Sequence, residues 1–122
     1  MSSILEPKIA AFLADAAIAK GKVVKIGSDK RHVAVCSAAT QKAIGIMQSA
    51  PDAAEAVCEV AMPGDGAKAL CGGTVAAGDL LASDAAGKVV ATTTANDRVV
   101  AVALEGGAAN DLISVVVMLS NV

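Results

Sequence analysis

Arg98-Val-Val-Ala-Val-Ala-Leu-Glu105, a Gly/Ala/Asn loop and Leu112-Ile-Ser-Val-Val-Val-Met-Leu119 form a pattern that this chain carries twice. The earlier copy is Lys42-Ala-Ile-Gly-Ile-Met47, the loop from Gln48 to Glu55, and then Ala56-Val-Cys-Glu-Val-Ala-Met62. Ile44 aligns with Val100 and Met62 with Met118, both at a separation of 56 residues. His32-Val-Ala-Val-Cys36 falls on Lys88-Val-Val-Ala-Thr92 at the same separation, and Gly21 to Asp29 falls on Gly78 to Asp84 with one residue of slip. Two copies of so short a unit nearly exhaust 122 residues. The pattern predicts one pseudo-duplicated β domain, with halves over 21–64 and 78–120.

Within each copy the strands announce themselves by β-branched residues and turn chemistry. Lys22 to Ile26 and His32 to Cys36 read as a hairpin around Gly27-Ser-Asp-Lys-Arg31, and Ser83 to Lys88 is the matching turn, with Gly87 free to take positive φ. Gly45, between Ile44 and Ile46 on one strand face, marks a close backbone approach. Alternation over Val57 to Met62 places Cys58, Val60 and Met62 inward and Glu59 outward. Pro63-Gly-Asp-Gly66 is the hinge between the halves.

The closing strand departs from its earlier copy at one informative position. At the separation of 56, Glu59 becomes Val115, which leaves both faces apolar: Ser114, Val116 and Met118 on one, Val115, Val117 and Leu119 on the other. A strand apolar on both faces is buried on both. The N-terminal arm or a neighbouring subunit would cover the second face, and the reading favours the subunit, so Val115, Val117 and Leu119 are candidate contact residues. On that reading Val115→Glu or Val117→Glu breaks self-association and spares the fold.

Residues 1–20 are the least β-like. Ile9, Phe12 and Leu13 sit at helical spacing after Pro7, in a stretch too short to be a stable isolated helix. The segment reads as a short helix or an extended docking arm, with 21–122 as the β domain. Ile9, Phe12 and Leu13 are candidate interaction residues, and removing residues 1–15 is expected to leave the domain folded.

Composition narrows the function. Hydrophobic residues make up 55% of the chain but aromatics only 1%, with Phe12 the single one, so the apolar content is mostly small. Small side chains suit closely spaced strands and apolar surface kept for partner subunits. A net charge of −2 and the absence of Trp and Tyr argue against a nucleic-acid partner. No uncharged apolar run reaches the length of a membrane span, and the N-terminus lacks the basic region of a signal peptide. Cys36, Cys58 and Cys71 have neither metal-binding spacing nor even number and read as buried, reduced small hydrophobes.

Chemistry is sparse. His32 follows a charged turn and aligns with Lys88, which predicts an exposed ring on a hairpin shoulder; a pairing with one of the thiols is the only nucleophilic arrangement on offer. Asp29 and Asp84 occupy matched turn positions. Gly64-Asp-Gly-Ala-Lys68 fails as a phosphate loop, because Ala67 precedes the lysine and Ala69 follows it. No catalytic set, cofactor or metal is expected.

The ordered set of motifs resembles one known family. Ala16-Ala-Ile-Ala-Lys-Gly-Lys-Val-Val-Lys-Ile-Gly27, Ala43-Ile-Gly-Ile46, Val57-Cys-Glu-Val-Ala-Met-Pro-Gly64, the segment Lys68 to Lys88 and the two closing strands resemble the capsid decoration, or head cement, proteins of tailed bacteriophages. The resemblance runs from about Ala16 to Leu119 and does not extend to residues 1–15. It implies a compact β-barrel or β-sandwich-like fold, a homotrimer on the particle, and a binding place on the outer capsid surface at local three-fold positions. There such a protein clamps capsomers of the major capsid protein together. The alternative is a small soluble β binding or adaptor module of a phage or bacterial particle.

Overall fold

A computed structural model describes residues 9–29, 31–94 and 97–121, and these form β structure throughout. The strands are β1 (Ile9–Ala14), β2 (Val23–Ile26), β3 (His32–Val35), β4 (Ala43–Met47), β5 (Val57–Ala61), β6 (Gly66–Leu70), β7 (Leu80–Ser83), β8 (Val89–Ala91), β9 (Arg98–Ala103) and β10 (Leu112–Asn121). The first five close into a barrel in the order β1-β3-β2-β4-β5; the rest make a five-stranded sheet, β6-β10-β9-β7-β8. The mainly β, two-halved fold expected from the pattern is what the chain adopts.

The duplication is deeper than the sequence showed, because it includes the N-terminal strand. β1 lies antiparallel to β5 with Phe12 opposite Cys58 and Leu13 opposite Val57. β6 lies antiparallel to β10 with Ala69 opposite Ile113 and Leu70 opposite Leu112. So β1 corresponds to β6, and each half is a five-stranded unit of one topology. In the first half β1 also pairs in parallel with β3, through Leu13–His32 and Ala14–Val33, and this closes the barrel. In the second a single parallel bridge, Cys71–Val89, stands at the equivalent place. Ile9–Ala14 is therefore a wall strand and neither a helix nor a free arm; residues 1–8 of the expected arm lie outside the described residues.

Matched cross-strand pairs give the correct alignment of the halves. Val23–Ile46 corresponds to Leu80–Val102, and Ile46–Ala61 to Val102–Val116. The separation is thus 57 residues for β2/β7, 56 for β4/β9 and 55 for β5/β10. The paired left-handed residues agree, Gly21 (φ 88°) with Gly78 (φ 90°) and Glu55 (φ 69°) with Asn110 (φ 70°). The structural counterpart of Glu59 is Ser114, not Val115: Glu59 opposes Ala11, and Ser114 opposes Lys68. A slip of one residue turns every side chain to the other face. With it corrected, β10 alternates as β5 does, and Ile113, Val115 and Val117 point inward like Cys58 and Val60.

Two apolar clusters hold the molecule. Val24, Val33, Met47, Cys58 and Val60 fill the barrel, with Phe12 and Ile44 packed against them. The second cluster joins inward residues of the other sheet (Leu81, Ala101, Ala103, Ile113, Val115, Val117) to Val23, Ile46 and Ala61 on the barrel's outer side. Ile44 and Ile46, expected on one face, thus serve different clusters, because the β2–β4 register shifts between Val24 and Lys25 and makes Ile44 the extra residue. Hydrogen bonds stitch the seam: Val23 N–H donates to Gly87 O at 2.7 Å and Leu70 N–H to Gly21 O at 3.0 Å. Burying one half's outer row on the other's inner face makes a single domain of two small units that each have little core volume.

Gly45 stands where β4 lies close against the backbone of β5. A Cβ there would lie 2.2 Å from the carbonyl oxygen of Ala61 and 2.8 Å from a methyl of Val60. Backbone cannot rotate away as a side chain can. Gly45→Ala is expected to cost about 1–3 kcal/mol and to lower Tm by roughly 5–15 °C in a thermal melt. An unchanged melt would show that β4 and β5 separate freely.

Candidate interaction surface

The groups that carry chemistry in other proteins are here sealed or occupied. Cys36, Cys58 and Cys71 are free and buried. Burial pushes the Cys36 thiol up to about 11 and raises the other two, so all three favour the protonated, unreactive form. Among the described residues no group of three or more His, Cys, Asp and Glu is placed to hold a metal. Among the described residues there is no helix long and apolar enough to cross a membrane.

His32 is not exposed as expected from its place beside a charged turn; only 9% of its surface is accessible. Its Nδ1 lies 2.8 Å from Asp29 Oδ1 and its Nε2 lies 2.8 Å from Glu55 Oε2. Asp29 comes from the β2–β3 turn, but Glu55 comes from the loop before β5, which sequence spacing could not bring to the ring. Both ring nitrogens face carboxylates, so no thiol is paired with the imidazole.

The six residues singled out as contacts separate cleanly. Val115 and Val117 have no accessible surface and lie in the core of the chain itself; no partner subunit can reach them. Their cover is the outer row of the barrel. Leu119 is half-buried and packs against the same cluster. Phe12 and Leu13 are half-buried in β1, Phe12 against the barrel interior and Leu13 between Val57 and His32 in register. Ile9 opposes Ala61 along β1; its side chain lies outside the described residues.

An apolar row lies on the outer face of the second sheet, where the corrected register places Leu80, Val102 and Val116 side by side across β7, β9 and β10. Leu80 is 41% exposed, and Val102 and Val116 are half-exposed. Leu104, joined to Ser114 by a backbone hydrogen bond of 2.9 Å, extends the row at 56% exposure. The equivalent row of the barrel, Val23, Ile46 and Ala61, is the one buried against the second half. The same three positions are thus covered in one copy and open in the other.

Polar groups border the open row. Lys68 Nζ donates to Ser114 Oγ at 2.8 Å and stands 3.8 Å from Glu105 Oε2. Glu105 accepts from Ser114 N–H at 2.8 Å, and that bond, with the nearby lysine, holds its carboxyl below the usual range. The Gln48 side chain caps the edge strand β6: Oε1 accepts from Lys68 N–H at 3.2 Å and Nε2 donates to Lys68 O at 3.1 Å. A capped edge resists strand addition. A shallow depression of about 380 Å³ between Gln48, Lys68, Leu104 and Ser114 flanks the row.

Comparison with known proteins places this architecture. No protein-family model and no curated protein matches the sequence. Among solved structures the chain is similar to the head fiber gp8.5 N base of bacteriophage phi29, with a TM-score of 0.72. The match covers 93% of this chain and 98% of that one at 17% sequence identity. At that identity the likeness is one of fold, and it takes in both halves.

Proposed function

We propose that the protein is a structural component of a phage head that decorates the outer surface of the expanded capsid and has no enzymatic activity. The observation that carries this reading is the fold likeness to the phi29 head fiber base over nearly the whole of both chains. It agrees with the resemblance of the sequence to head decoration proteins. In this reading the protein binds at local three-fold positions and clamps neighbouring capsomers of the major capsid protein. Three modest contacts tied into one homotrimer hold far more tightly than any one alone.

The surface assigned to contact between copies is the open row Leu80–Val102–Val116 with Leu104, in place of Val115 and Val117. Its equivalent in the barrel already packs on a sheet within the chain, so its shape and apolar character suit such packing. A Leu80→Asp, Val116→Glu double variant is expected to keep its circular dichroism spectrum and to sediment as a monomer. Particle binding should then weaken by about 100-fold or more, as avidity is lost. A double variant that still assembles would remove the row from the contact.

The reading as a whole is tested on purified particles by gradient sedimentation and quantitative mass spectrometry. Copy numbers comparable to those of the major capsid protein are expected. Absence from particles would overturn the capsid role in favour of a soluble adaptor module.

A further inference from the structure

The two halves fasten the loop before their last strand with different chemistry. In the first, His32 at the start of β3 bridges Asp29 of the preceding turn and Glu55 of the loop before β5, both at 2.8 Å. In the second, Lys88 and Asn110 stand at the places of His32 and Glu55, and the turn, one residue shorter, carries Asp84 at the place of Gly27. Lys88 Nζ donates to Asn110 Oδ1 at 2.7 Å, and Lys88 N–H donates to Asp84 Oδ1 at 2.9 Å. Both turns carry an aspartate that folds back on the backbone two residues on: Asp29 Oδ1 accepts from Arg31 N–H and Asp84 Oδ1 from Ala86 N–H, both at 2.8 Å. Glu55 and Asn110 are the two non-glycine residues with positive φ among the described residues, a conformation that needs holding.

We propose that Asp29, His32 and Glu55 form a protonation-controlled latch that fastens the loop before β5 to the β2–β3 turn. A neutral imidazole has one N–H and one lone pair, so it can donate to only one of two carboxylates and repels the other. Only imidazolium donates to both. In the second half the Lys88 Nζ contact goes to the amide of Asn110, which is not ionisable, so that loop carries no such switch. The latch stands independently of the capsid reading.

The surroundings favour the charged ring. The described charged groups facing it are Asp29 and Glu55, with Lys25 one pair further along the same face of β2 and β3. Asp15, at the end of β1 beside the turn, is engaged by the N–H and hydroxyl of Ser28, both at 2.8 Å. The hydrogen bonds from Asp29 and then Glu55 raise the His32 pKa above its ordinary 6.5, and the His32 contact lowers that of Asp29 below 3.8. A raised histidine pKa means that the latch is fully closed below 6.5 and opens as pH rises through the folded-state value; a lowered aspartate pKa means that the Asp29 arm is lost when pH falls through that of Asp29. The loop is thus held across the mildly acidic range and freed on the alkaline side.

His32 is the only histidine, so one ring signal in an NMR titration reports the latch in the intact chain. Its midpoint is expected above 6.5. Amide exchange, corrected for base catalysis, supplies the second readout. The Glu55 N–H, bonded to Ala14 O, should lose protection about tenfold or more as pH passes that midpoint, while the Asn110 N–H, bonded to Cys71 O, shows no such step. In His32→Lys the Glu55 step should vanish. A ring midpoint at or below 6.5, or Glu55 and Asn110 amides that lose protection together, would overturn the proposal on the wild-type protein alone.

Discussion

Val115→Glu is expected to abolish the folded state, and Val116→Glu, one residue along, to leave it intact. Val115 has no accessible surface and faces the cluster between the two halves, whereas Val116 lies on the half-exposed outer row. The glutamate at 115 meets no basic partner among the buried residues there. Holding its carboxyl neutral at pH 7 costs roughly 4 kcal/mol, at 1.36 kcal/mol per unit above an ordinary value near 4.3. Loss of the valine's burial adds about 1.5 kcal/mol or more, and fitting the longer side chain adds about 1–3 kcal/mol. The total rivals the whole stability of an ordinary domain, about 5–15 kcal/mol. Chemical denaturation followed by far-ultraviolet circular dichroism on the pair of variants is the measurement. A folded Val115→Glu that merely dissociates would restore the two-faced strand and place a partner against it.

That contrast shows where the sequence was legible. Strand and turn chemistry stood out because valine, isoleucine and glycine fell where a pleated, closely packed sheet requires them, as at Gly45 and Gly87. Register across the halves was not legible. The loop after β4 runs over 48–56 and its counterpart over 104–111, one residue shorter, and nothing in a polar loop marks the gap. Because Val115, Val116 and Val117 are identical, sliding them by one leaves the sequence pattern unchanged and reverses every face. The His32 contact was hidden for a similar reason: Asp29 is three residues away, but Glu55 arrives only when β5 pairs beside β1 and β1 beside β3. The open row was invisible until the register was known. Leu80, Val102 and Val116 are spread over three strands and form one feature only in the sheet.

Removal of residues 1–14 is expected to unfold the first half, not to release a docking arm. Among the described residues β1 is the only strand that joins β3 to β5, so its loss opens the barrel on both sides. The interior cluster of Val33, Met47, Cys58 and Val60 then meets water along that seam. Backbone groups lose partners as well: Arg31 O accepts from Leu13 N–H at 2.8 Å, and Ala56 O from Ala14 N–H at 2.9 Å. β1 escaped detection because Ile9-Ala-Ala-Phe-Leu-Ala14 carries one β-branched residue and spaces its large side chains as a helix would. Its strand state is imposed by the edges it fills, an override of local propensity by tertiary pairing. The truncated protein should bind a hydrophobic dye and aggregate, and a synthetic peptide of residues 1–16 should restore the native spectrum by supplying the missing strand. A truncated chain that stays monomeric with an unchanged melting curve would show that β3 and β5 close on each other. The second half remains a sheet with only the Cys71–Val89 bridge at that place, and there the barrel's outer row covers its inner face. The first half has no such cover among the described residues, so its closure rests on β1.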